Sequence, residues 1–171
     1  MLYIQGPSTS SAAAQRTIGM ESTKPENIKL KTLRCGWLEE GAREAVTAWL
    51  RLSTSRAATI DVIGCQSDSI AVGAKKALED HTDSAERELW MQKPLTGIDG
   101  LPTEGKAWVD QRTLTATIVA GTTTEIALHL VARALSGEAP PERTVIEAKS
   151  YPSLEKLNEM GAKLQRQSPH R

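Results

Sequence analysis

Phenylalanine is absent from this 171-residue chain, and tyrosine occurs only twice. Bulk in any core must therefore come from Leu, Ile, Val, Ala and the four Trp. The two cysteines, Cys35 and Cys65, are too few for a disulfide framework and cannot form a four-ligand zinc site by themselves. Net charge is missing too, because 21 Lys and Arg balance 21 Asp and Glu. Such a chain lacks the basic footprint that phosphate backbones or anionic lipid surfaces require, which argues against nucleic acid as a partner. Long apolar runs are also wanting. The most apolar stretch, Ile126 to Leu135, is broken by His129 and Arg133 and falls far short of the ~20 residues that span a bilayer, so no membrane insertion is expected. The first residues show no basic start, apolar stretch and cleavage site. As written, the chain is expected to lack a signal peptide and to stay in the cytoplasm.

What is present alternates from end to end. Short apolar runs at 2–4, 28–33, 59–64, 95–98 and 114–119 read as strands, and helical patterns lie between them. Leu38, Ala42, Ala45, Val46, Trp49 and Leu52 recur at steps of three and four, which puts one apolar stripe on a helix. Ser10 reads as the polar cap of an Ala-rich helix reaching Met20, and Ser67 or Asp68 as the cap of a helix carrying Ile70, Ala71, Ala74, Ala77 and Leu78. A polar stretch from His81 to Glu88 reads as a linker, and Pro102 opens a short helix holding Ala107 and Trp108. A helix over 122–136 stops at Gly137. An extended segment follows at 144–148, and Pro152 opens a last amphipathic helix. This pattern predicts an α/β fold: a three-layer, doubly wound parallel sheet of the flavodoxin-like kind, with strand order 2-1-3-4-5. One lobe over 1–166 with a loose tail at 167–171 accounts for the chain. In that order Cys35 and Cys65 lie two strand spacings apart, about 9–10 Å. That is beyond disulfide reach, so two free thiols are expected.

Ligands of such sheets bind outside the carboxyl ends of the strands. Those ends fall at 6–11, 35–37, 65–68, 99–100 and 120–121. They are rich in small residues and hydroxyls, with one carboxylate pair and one aromatic ring, but no His, Lys or Arg. A neutral polyhydroxylated ligand suits this set, since carboxylates and amides pair with hydroxyls and an indole face covers the CH side of a sugar ring. The spacing of the histidines suggests neither a metal site nor a triad, and no cofactor is implied. An enzyme on this sheet would need a phosphate-cradling loop, yet neither GxGxxG nor GxxxxGK[ST] occurs. The chain is expected not to be an enzyme.

Four segments carry a resemblance. Leu2-Tyr3-Ile4-Gln5-Gly6 through Ser11-Ala12-Ala13 to Arg16-Thr17-Ile18-Gly19-Met20 is the first. The others are Val62 to Ala74, then Leu95-Thr96-Gly97-Ile98-Asp99-Gly100, then Leu114-Thr115-Ala116-Thr117-Ile118. In this order they resemble the second lobe of type 1 periplasmic sugar-binding proteins, the ribose-binding-protein-like receptors of ABC transporters. The resemblance implies one lobe of a periplasmic-binding-protein-like I fold, a monosaccharide or similar small polyol as ligand, and an ABC permease as partner of the full-length protein. It also implies a periplasmic or extracytoplasmic location for that protein.

By position, the resemblance makes Asp99 the carboxylate that accepts sugar hydroxyls and Trp37 the aromatic that stacks on the ring. Ser67 stands where the family usually has Asn, Ala14 where some members have a ligand-binding Arg, and Ala120 where some have Gln. Ser10, Arg16 and Asp68 complete the candidate ligand-binding set. Each has a second reading: Asp99 as the brace of a tight turn, Trp37 as a hydrophobic staple, and Ser10, Ser67 and Asp68 as helix caps. Arg16 also reads as the anchor of its helix to the loop. Trp49 and Trp108 fall on core stripes.

The resemblance further implies that 122–137 crosses to a first lobe absent here, so the chain reads as a truncated product, weak or inactive alone. The face of Ile126, Ala127, Leu130, Val131, Ala134 and Leu135 then lacks an assured partner. Exposing each large side chain forfeits roughly 1.5–3 kcal/mol, so helix 122–136 must fold over its own sheet, pair with another subunit in self-association, or destabilise the chain. The effector-sensing core of a LacI-type regulator shares the fold and is the alternative reading.

Overall fold

The computed structural model describes residues 1–56 and 58–167, leaving out the side chains of Arg56 and of residues 163–167. Six strands form one sheet: β1 (Leu2–Gln5), β2 (Lys31–Arg34), β3 (Ile63–Cys65), β4 (Leu95–Asp99), β5 (Ala116–Val119) and β6 (Lys149–Tyr151). Their order is β2-β1-β3-β4-β5-β6. The first five pair in parallel in the expected order. β6 adds an antiparallel edge strand to β5. The extended segment foreseen at 144–148 thus pairs slightly later in the chain.

β2, β3 and β5 start later than the apolar runs suggest, while β1 and β4 start where those runs do. β2 and β3 pair with β1 from Lys31 and Ile63, the two partners of Leu2. The segment before β2 is instead turned by the bond from the Ile28 amide to the Pro25 carbonyl.

Helices cover both faces. On one lie α2 (Glu39–Leu50) and α4 (Asp68–Glu79), which pack together over the sheet. Val46, Trp49, Ile70, Ala74 and Leu78 join Leu2, Ile4, Ile63 and Leu95 in the core there. On the other face α1 (Ser11–Thr23) is tied down by the Tyr3 hydroxyl, which donates to the Arg16 carbonyl. Beside α1 this face opens into a groove of about 510 Å³ with mainly apolar walls, Tyr3, Met20, Ile98 and Ile118 among them.

A short helix α3 (Ser53–Arg56) follows α2, and α5 (Ser84–Met91) occupies the stretch read as a linker. The Asp83 side chain accepts from the Ala85 and Glu86 amides to start α5. Trp90 fastens it to the core, edge-on to Trp49 at 5.3 Å. A single π-helical turn at Pro102–Lys106 leads into α6 (Ala107–Asp110).

Beyond β5 the chain changes character. α7 (Thr123–Leu135) has no buried residue, and its Leu135 is 85% exposed. α8 (Leu154–Gln167) also presents Leu154 and Met160 outward. Past Gln167, the tail expected to be loose lies outside the described residues. No helix among the described residues is long and apolar enough to cross a membrane. Both cysteines are free thiols, with β1 standing between β2 and β3.

Candidate functional site

The carboxyl ends of β2, β3 and β4 and the first half of α1 surround a hollow of about 320 Å³, lined by Ala12, Arg16, Trp37, Ser67, Ser69 and Asp99. Four of the six candidate residues therefore meet at one place: Trp37, Ser67, Asp99 and Arg16.

Arg16 is their centre. It reaches from α1 over the strand ends, where Nη2 donates to Asp99 Oδ1 at 3.0 Å and Nη1 donates to the Gln66 carbonyl. Its guanidinium lies over the Trp37 ring, 5.4 Å from the centroid, within cation–π range. The expected anchor of α1 to the loops is thus present, and the same group forms part of the hollow. The stacking face foreseen on Trp37 is shared with Arg16, while the far edge of the indole abuts Gly6, which has no side chain to collide with it.

Ser67 is a cap that also borders the hollow. Its hydroxyl accepts from the Ile70 amide at 3.1 Å, capping α4. Ser10 caps α1 by accepting from the Ala13 amide and does not line the hollow. Asp68 departs from the expectation. It is only 2% exposed and turned into the protein, where its two oxygens accept from the Thr117 hydroxyl and the Gly100 amide. Neither the cap of α4 nor a contact for solute, it braces the turn that carries Asp99. Burial raises its carboxyl pKa above the ordinary 3.8, against the lowering effect of those two bonds.

Two residues went unrecognised in the sequence. Ser69 adds a second hydroxyl-bearing residue to the wall. Gln66, fully buried, accepts from the Gly6 amide at 2.9 Å and donates to the Tyr3 hydroxyl, the Ala13 carbonyl and the Thr17 hydroxyl. It locks α1 to β1 and β3 and so fixes where Arg16 starts. A Gln between Cys65 and Ser67 carries no local signal of that role.

Chemically, the hollow offers an ion pair, hydroxyl-bearing walls and an aromatic ring. Those groups suit hydrogen bonding to hydroxyls. Burial pushes the Cys35 thiol up to about 11 and Cys65 well above the usual thiol range, which disfavours their thiolate forms. Among the described residues no cluster of three or more His, Cys, Asp and Glu side chains is placed to hold a metal.

No protein-family profile and no curated protein matches the sequence. Solved structures do. The fructose-binding periplasmic domain of a hybrid two-component system is 26% identical with a TM-score of 0.73, over 98% of this chain and 54% of that one. An ABC transporter periplasmic solute-binding protein from Actinobacillus succinogenes 130z, solved with bound D-allose, is 21% identical with a TM-score of 0.72, over 87% of this chain and 51% of its own. This chain has the fold of one periplasmic-binding-protein-like I lobe. The lobe spans about half the length of the proteins it matches. A LacI family transcriptional regulator from Arthrobacter sp. FB24, in complex with lactose, carries the same fold at 22% identity and a TM-score of 0.62, over 87% of this chain and 53% of that one. These neighbours are sugar-binding proteins and regulators rather than enzymes.

Proposed function

We propose that the chain is a non-catalytic carbohydrate-binding lobe of a sugar receptor of the ABC-transport type. The observation that carries this reading is the meeting of Trp37, Arg16, Asp99 and Ser67 around one hollow at the carboxyl rim. The fold and the sugars bound by its structural neighbours support it. In a whole receptor a second lobe would close over the other face of the ligand, the protein would work in the periplasm, and an ABC permease would receive the sugar. A single wall leaves half of the ligand in water, so this chain alone should bind weakly. Helix α7, whose Leu128, Val131 and Leu135 face solvent, supports self-association as a further property of the isolated lobe.

Titration calorimetry with D-fructose and D-allose tests the reading. Binding in about the millimolar range is expected. Sub-micromolar affinity would refute the half-site argument, and no heat from either sugar counts against the sugar reading itself. The lactose-bound regulator supports effector sensing as the second reading. Coding sequence upstream of Met1 separates the two, since a receptor requires a signal peptide and a regulator a DNA-binding helix pair.

A further inference from the structure

Asp99 adopts φ 125°, in the region that favours glycine, and Gly100 follows at φ 66°. Non-glycine residues hold such conformations only where their surroundings over-determine them. Here the peptide is pinned on both sides: the Ala120 amide donates to the Asp99 carbonyl at 3.3 Å, and the Gly100 amide donates to Asp68 Oδ2 at 2.7 Å. Asp68 Oδ1 accepts from the Thr117 hydroxyl at 2.6 Å. Both distances fit bonds to an ionised acceptor. The slot around this carboxyl is shaped by two glycines, because a Cβ at Gly97 or Gly105 would overlap it. One side chain at the start of α4 therefore joins β4, the turn after it, the π-helical turn and β5. Asp99 and Glu104 also face it, and both are acidic, so the carboxylate is not there to neutralise a cation from those elements.

We propose that Asp68 is a positioning residue of the rim site, whose carboxylate fixes the Gly100 amide and thereby holds Asp99 toward Arg16 and the hollow. Its effect on ligand rests on the sugar reading of that hollow; its grip on the turn does not.

NMR of the ¹⁵N-labelled full chain, with D-allose and D-fructose as probes, tests this. In the wild type the Gly100 amide proton lies downfield. In Asp68→Asn the amide oxygen still accepts from Gly100 while its NH₂ donates to Thr117, so exchange protection and sugar affinity stay within about threefold. With the charge gone, the Gly100 proton moves upfield. Asp68→Ala lowers both Gly100 protection and sugar affinity by about tenfold or more, while Val46 and Ile70 amides stay protected. Unchanged Gly100 protection in Asp68→Ala overturns the proposal. So does an unshifted Gly100 proton in Asp68→Asn, which decides the matter even if the alanine variant does not fold. Should neither sugar bind the wild type, the sugar reading fails while the Gly100 amide still reports on Asp68.

Discussion

An amide of the same shape would fill the slot that Asp68 occupies, and the comparison separates what the carboxylate does for the turn from what it does to stability. Burial keeps this carboxyl protonated to higher pH in the folded chain than in the unfolded one. The folded state thus holds the proton more tightly. The resulting stabilisation is complete below the ordinary value of 3.8 and is lost as pH rises through the folded pKa. Asp68→Asn has no such dependence. Denaturant melts should therefore show the variant gaining on the wild type as pH rises above the ordinary 3.8 through the folded pKa. A constant difference would mean that the two hydrogen bonds offset burial, and the opposite slope that they outweigh it. At the rim, Trp37→Ala removes both the ring that lines the hollow and the surface beneath Arg16. It should weaken binding of a sugar that fits by roughly tenfold or more, read by calorimetry.

Trp37, Ser67 and Asp99 were legible at the rim because strand ends can be placed from apolar runs, whereas Arg16, on α1, brings in a cation that those ends lack. What each one does there was less so. Asp68 and Ser67 are neighbours with equal claims as caps, and only the register that brings Thr117 and Gly100 beneath α4 shows which turns inward. Gln66 has the same history: its four side-chain partners lie on β1, just after it and on α1, far away in sequence.

Elements were readable where burial is one-sided and long. Of the stripe read there, Ala42, Val46 and Trp49 are buried on α2, whereas Leu38 and Leu52 lie just beyond its ends at 75% and 54% exposure and Leu50 joins the buried face instead. α5 escaped because its one buried residue, Trp90, makes no stripe. Its start carried a signal nonetheless, Asp83 three residues before Glu86, the spacing of a capping box. Asp83→Ala leaves the Ala85 and Glu86 amides without this acceptor and should cost about 1 kcal/mol of unfolding free energy, measured by urea titration. β6 was hard to place for another reason. Lys149–Tyr151 is short and mostly polar, and it becomes a strand through tertiary contacts: the Tyr151 hydroxyl donates to Asp110 at 2.7 Å, and Lys106 sits over its ring.

For the whole molecule, the two halves of the chain are unequal in burial. Among the described residues the buried apolar core lies in β5 and the chain before it; beyond it, α7 keeps Leu128, Val131 and Leu135 in water at 65%, 56% and 85% exposure. Each such side chain, if covered, would gain roughly 1.5–3 kcal/mol, so a few together rival a domain's margin of about 5–15 kcal/mol. Sedimentation velocity should accordingly find concentration-dependent association. The double variant Val131→Glu, Leu135→Glu should return the chain to monomer with its thermal unfolding little changed, since neither residue is buried. Association that persists in that variant would assign it to another face, the groove beside α1 being the obvious one.

The antiparallel edge strand has a consequence for the covalent chain. β6 is reached only after an excursion through α7 and the Pro140-Pro141 stretch, yet its hold on the sheet comes from β5 and from Asp110, both earlier in the chain. A protease cutting near Arg143 would sever the backbone without removing a rung of the ladder. The two fragments should then stay together on a sizing column until denaturant parts them.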